Sequence, residues 1–188
     1  YDVLAQHYKL GKPVVQHFFH KDLSVPIWGI FELLSLGEFG LFVSCLNESV
    51  RKDVSYELGF HQGLDTNGRL TEDIVFTIRD LRNSVAHNDV IFDTRFQRGK
   101  APERLKSCLE LETGVKNITF GTIIDYLILL IYVSRNLQVS KTECKRHIRG
   151  FETIIERVRG KLPFSDFSQI VHTDTANKIR DLRDFCTG

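Results

Sequence analysis

Apolar positions recur along this chain at helical rather than alternating spacing. Ile27, Ile30, Phe31 and Leu34 stand three and four apart, which puts them on one face of a helix. Pro26 before them reads as an extended residue at a helix opening. Gly37 and Gly40 then interrupt a stretch that stays apolar through Leu46. Two helices are expected to meet there in a tight bend near Gly37, where a missing side chain permits close backbone approach. Asn47 is placed to cap the next helix, which ends before Gly59, and residues 61–70, with an Asn-Gly step, read as a loop.

The pattern continues downstream. Ile74, Ile78, Leu81 and Val85 form a narrow stripe down one side of a helix that Thr71 is placed to cap. Glu72 and Asp73 suit its N-terminal dipole, and Asn88-Asp89 ends it. Helices are further expected over Pro13 to His20, over 101–112, over an apolar 121–136 at the centre of a bundle, and from about Asp174. Ser140 with Glu143 reads as a capping box for a long basic helix reaching about Lys161. Only Asp89 to Phe92 could be a strand. The expected fold class is all-α, one helical domain over residues 1–188, with a basic C-terminal part from about residue 100.

Composition adds limits. The 188 residues are 42% apolar and 26% charged, which excludes a disordered chain or a fibre. Four prolines, at 13, 26, 102 and 163, each sit where a helix could start. The chain opens on Tyr1 and contains no methionine, so it is expected to be a fragment of a longer protein. The longest apolar run, Tyr126 to Val133, has eight residues, against the roughly 20 a membrane helix needs. Cys45, Cys108, Cys144 and Cys186 form no Cys-x-x-Cys pair. A soluble protein of a reducing cytoplasm, with cysteines acting as small apolar side chains, is the expectation.

Net charge is only +1, but it is unevenly spread: residues 1–94 carry 8 Lys/Arg against 13 Asp/Glu, and residues 95–188 carry 17 against 11. One basic group is Arg95, Arg98, Lys100, Arg104 and Lys106; the other runs from Arg135 to Lys161. Lys145, Arg146, Arg149 and Arg157 of the second group are candidate RNA-binding residues. A merely solvated helix face is the plainer alternative.

The helix over 71–88 holds the candidate chemistry. With Ile74 at zero, the stripe stays within about 40°, whereas Asn83, His87 and Asp80 fall near 180°, 220° and 240°, and Arg82 near 80°. One face therefore packs inwards and offers a histidine, an amide and a guanidinium to solvent. His87 sits at the negative end of the helix dipole, a position suited to a side chain asked to carry a proton. Arg82 and His87 form the sole Arg-x4-His in the chain, against a chance expectation of about one half.

The neighbouring residues sharpen this. Leu81-Arg82-Asn83-Ser84-Val85-Ala86-His87 resembles the Leu-Arg-Asn-x-x-Ala-His signature of Abi-like proteins, bacterial abortive-infection factors of the AbiD/AbiF type. Pro26-Ile27-Trp28 with Glu32, Ser35 and Gly37 is similar to that family's Pro-Ile-Trp, Glu and Phe-Gly block, with Leu36 in place of the phenylalanine. Asp93-Thr94-Arg95-Phe96 matches a further element more loosely, and the resemblance covers about residues 13–96. It implies a HEPN-type helical bundle in which Arg-x4-6-His marks a metal-independent endoribonuclease, with two copies meeting in a homodimer to complete one site. Arg82, His87 and Asn83 are then the catalytic candidates. RNA is the implied substrate, no cofactor is implied, and a regulatory RNA or protein partner is compatible with antiphage defence or a toxin system. A non-catalytic RNA- or protein-binding module is the alternative.

Glu32 lies among Ile30, Phe31, Leu33 and Leu34. Turned inwards it would need an arginine, Arg82 or Arg79, to support the site; a surface position is the even alternative. His17, His20 and Asp22 lie close in sequence, but fall short of the ligand set a zinc site needs.

Overall fold

Helix follows helix in the computed structural model, which describes residues 2–60, 63–97 and 99–188. The first five are α1 (Asp2–Lys9), α2 (Pro13–His20), α3 (Ile27–Phe31), α4 (Leu36–Cys45) and α5 (Glu48–Glu57). Then come α6 (Leu70–Ala86), α7 (Glu103–Thr113), α8 (Ile123–Asn136), α9 (Lys141–Arg159), α10 (Phe164–Ile170) and α11 (Thr175–Phe185). No strand occurs among the described residues, so Asp89 to Phe92 is not one; these residues lie in the turns that follow α6. His61, Gln62 and Arg98, which fall in the expected loop and the first basic group, lie outside the described residues.

The apolar run in α8 is the centre of the core. Ile124, Tyr126, Ile128, Leu129, Ile131 and Tyr132 are all buried there. Around them pack Leu70, Ile74 and Leu81 of α6, Leu105, Cys108 and Leu109 of α7, Cys144 and Ile148 of α9, and Ile179 and Leu182 of α11. Three cysteines are buried as small apolar groups, but Cys45 is exposed. The N-terminal helices expose many apolar side chains, Trp28 and Ile27 more than half of their surface.

Several boundaries differ from the expectation, each for a local reason. The bend falls at residues 32–35, not at Gly37. Ser35 caps α4 in a reciprocal box: its hydroxyl accepts the Glu38 N–H at 3.2 Å and the Glu38 carboxylate accepts the Ser35 N–H at 2.7 Å. Gly37 therefore lies inside the first turn of α4, where an added Cβ would come within 3.2 Å of the Arg79 side chain. Gly40 marks the closer approach, with Phe76 only 2.8 Å from such a Cβ. Thr71 is not a cap either. α6 opens one residue earlier, and the buried Asp65 accepts the Leu70 N–H at 3.0 Å while also taking the Ser55 hydroxyl at 2.6 Å. Asn47 caps α5 as expected. Ser140 caps α9 one-sidedly: Glu143 turns its carboxylate to Arg146 and His147, and the helix ends at Arg159.

A buried polar knot joins the last helix to the core. Asp125 at the start of α8 is fully buried and accepts the N–H groups of Thr119 at 3.1 Å and Phe120 at 2.8 Å. Lys178 of α11 donates to the same carboxylate at 2.7 Å and to the Asn117 carbonyl at 2.8 Å, with Asp174 at 3.3 Å. Asn117 and Phe120 both adopt left-handed backbone, so this knot holds a link that would otherwise be strained.

Candidate functional site

Burial along α6 depends on position down its axis as much as on face. Leu70, Thr71, Ile74, Val75, Leu81 and Ser84 are buried, and the flanking positions up to Asp80 are half-covered. Beyond Ser84 the helix leaves the bundle. Val85, which the stripe places in the core, is 58% exposed. The wheel is right about direction, but among the described residues the cover of that face gives out before Val85.

The candidate side chains lie at this end and in the turn just before it. Arg82 and His87 are exposed and Asn83 is half-buried. The Arg82 guanidinium donates to the Asn83 side-chain oxygen at 3.0 Å. Neither Arg82 nor His87 has an acidic partner among the described residues. They stand five positions apart in the chain, about 7.5 Å of rise along the axis. The backbone beneath His87 is fixed by a Schellman arrangement: Asp89 N–H returns to the Ser84 carbonyl at 2.9 Å and Asn88 N–H to Val85 at 3.2 Å. Asn88 takes the left-handed conformation this requires, φ 56°. Val90 lies just past the turn, 61% exposed, so two bare valines flank the polar trio.

Other expected site residues are placed differently. Glu32 is exposed, and among the described residues no ion pair joins it to Arg79 or Arg82. It is the C-cap residue of α3 and exposed, so its carboxylate reaches water and needs no buried partner. Arg79 instead pairs with Asp80 at 2.7 Å and stacks over the Phe76 ring at 4.8 Å. On α9, Arg146, Arg149 and Arg157 are exposed, whereas Lys145 is half-buried. His17 packs edge-on against Phe18 and His20 against Tyr8, and no group of His, Cys, Asp and Glu among the described residues could hold a metal ion.

A groove of about 620 Å³ lies one turn back along α6, lined by Glu38, Leu41, Phe76, Asp80, Gln97 and Tyr126 among others. Arg82 and His87 do not line it. Burial holds the Asp73 carboxyl on its wall above the ordinary aspartate value despite the Arg104 guanidinium, whose Nε donates at 2.8 Å. Sequence reasoning passed over this groove because its walls come from four separated segments, with no spacing to link them.

Chemically, the end of α6 offers an exposed imidazole and an exposed planar cation held by a half-buried amide, on a helix anchored in the core. Residues 2–93 match the sequence model of a family described as Abi-like protein. No curated protein and no solved structure matches the chain. Among the described residues, no helix is long and apolar enough to cross a membrane.

Proposed function

We propose, from the Abi-like family to which residues 2–93 belong, that this protein is a HEPN-type endoribonuclease of phage defence that cleaves RNA without a metal ion. One observation carries the reading. Arg82 and His87 are exposed near the C-terminal end of α6 and have no acidic partner among the described residues, with the His87 backbone pinned by the cap of the helix. A module that merely folded around this arginine would be expected to pair it inwards.

In this reading a histidine removes the proton of a ribose 2′-OH as the oxygen attacks the adjacent phosphorus. The bond from phosphorus to the 5′-oxygen breaks, and that oxygen takes a proton from a second, protonated histidine. The products are a 2′,3′-cyclic phosphate and a 5′-hydroxyl. Arg82 neutralises the charge that develops on the phosphorane oxygens, for which its fork of donors is well shaped. Asn83 positions that fork through its 3.0 Å hydrogen bond. Each chain supplies one histidine at this place, so two chains complete one site. The exposed Val85 and Val90 beside the trio give a second copy apolar surface to rest on.

The test is product analysis on purified protein and RNA in the presence of a chelator. Cyclic phosphate and 5′-hydroxyl ends, lost in both His87→Ala and Arg82→Ala, are expected. Dependence on a divalent metal, or 3′-hydroxyl and 5′-phosphate ends, overturns the reading.

A further inference from the structure

The long helix α9 has two unlike sides. Cys144, Ile148 and Ile155 are buried against the bundle. On the opposite side Thr142, Arg146, Arg149, Thr153 and Arg157 are all exposed. With Thr153 at zero on a wheel, these five lie within about 40° of one another's centre line, and no acidic residue falls in that band. The acids of α9 sit to either side: Glu143 engages Arg146 and His147, Glu152 engages Arg183, and Glu156 engages Arg159. Arg149 and Arg157 have no acidic partner among the described residues. Lys145 leaves this band for the flank and half-buries itself. Three guanidinia thus follow one line over about 16.5 Å of helix, from the rise of eleven residues.

We infer that this outer face of α9 is a binding site for the RNA backbone, separate from the cleavage site. A line of planar cations fits a row of phosphates rather than a single anion. Thr142 stands before the line and Thr153 within it, the latter's hydroxyl donating to the Arg149 carbonyl at 2.9 Å. The band carries no aromatic side chain on which a base could stack, so it grips the backbone whatever the sequence. α6 packs against α8 and α8 against α9. The grip is therefore on a helix that α8 separates from α6. A single RNA must therefore be long enough to run between the two. The face also lies outside residues 2–93, the part that matches the Abi-like family. The choice of RNA as the polyanion rests on the ribonuclease reading above; the geometry of the face does not.

The experiment measures binding of a long 2′-O-methyl RNA, which cannot supply the attacking hydroxyl, to the full chain across a range of salt. Three phosphate contacts at about 0.7 each give a logarithmic salt slope shallower by about 2 in Arg146→Gln/Arg149→Gln/Arg157→Gln. Between about 50 and 200 mM salt, the wild-type advantage then shrinks about 20-fold. The corresponding triple lysine variant keeps the charges and restores the slope. Lys9→Gln/Lys12→Gln/Lys21→Gln makes the same change in net charge on the N-terminal helices and leaves the slope as in wild type. An unchanged slope in the arginine variant, or an equal loss in the lysine control, overturns the inference. So does an α9 dependence seen with poly-glutamate and not with RNA. Cleavage of a short RNA by wild-type protein is scored separately. Its absence beside an intact salt-slope effect removes the ribonuclease reading and leaves the grip standing.

Discussion

Replacing Asp125 by alanine tests whether the buried knot between α8 and α11 holds the C-terminal part together. The carboxylate is fully buried, Lys178 is 4% exposed, and their atoms are 2.7 Å apart. Removing one member of a buried pair strands the other, at a cost of about 3–5 kcal/mol. Asp125→Ala also takes the acceptor from the Thr119 and Phe120 N–H groups, and a buried unsatisfied donor costs about 1–3 kcal/mol. Water entering the space offsets part of this, so a loss of about 4–6 kcal/mol is expected. Lys178→Met should cost less, about 3 kcal/mol, because Asp125 keeps its backbone donors. The double variant should be milder than the sum by at least about 1 kcal/mol, since the second change removes a charge the first left stranded. For a chain of this size each kcal/mol moves the thermal midpoint about 2–4 °C. Calorimetry or circular dichroism on the four proteins reads all of this. Asp181→Ala is the comparison, because its partner Arg180 is a 68% exposed side chain and the loss should stay near or below about 0.5 kcal/mol. Strict additivity, or a cost of Asp125→Ala no greater than that of Asp181→Ala, would refute the reasoning.

At the proposed site, His87→Ala should abolish RNA cleavage and leave the thermal midpoint unchanged, because the side chain is exposed. Leu81→Ala, only 8% exposed, should cost about 2–5 kcal/mol through a cavity, and an equal loss of stability in the two would break the assignment. Mixing His87→Ala chains with wild type should depress cleavage below simple dilution if each site draws on two chains. Gly68→Ala should destabilise by about 2–4 kcal/mol, since its φ is 69° and a Cβ would stand 2.6 Å from the backbone of Lys52; a neutral result in urea denaturation would refute the tight packing of this turn. The Ser35 backbone and hydroxyl hold the Glu38 carboxyl below its ordinary value of 4.5. That stabilisation is complete above about pH 4.5 and is lost as pH falls through the depressed folded value. Glu38→Gln should flatten the acid limb of the stability profile, and an unaltered limb would show that the cap carries no linked proton.

What the sequence reveals follows from which interactions are local. α8 is legible because burial on nearly every side leaves an almost unbroken apolar run. Asn47 is legible because a cap needs only residues within one turn. α10 was missed because none of its residues is buried, so it leaves no stripe to find. Asp65 was missed as the cap of α6 because it reaches in from five residues upstream, beyond the spacing that cap rules describe. The same limit hides the Lys178–Asp125 pair, whose members are 53 residues apart. Its one trace in the sequence is a lone aspartate heading an otherwise apolar helix, a residue type that burial tolerates only with a partner.

The candidate site shows the same division. Arg82, Asn83 and His87 are neighbours on one helix, so their grouping and the Asn88 turn beneath them are local properties and readable. The lack of an acidic partner for Arg82 and His87 among the described residues is not local. It depends on where the surrounding helices stop, and the error at Val85 measures that dependence. A stripe drawn on a wheel assumes that a helix is covered along its full length, yet here cover ends near Ser84. The residue that defeats the stripe therefore marks the end of the helix that carries the candidate site. An apolar position left bare next to an arginine and a histidine is uneconomical for an isolated chain, but suits a surface that a second copy covers. Val85→Asp separates these cases: on an isolated helix end it should be harmless to folding and to cleavage. Where two copies meet there, it should place like charges against each other across the two-fold axis and lower cleavage in parallel with dimer content. Sedimentation velocity beside a cleavage assay reads both, and full activity from a monomeric Val85→Asp protein would refute the two-chain site.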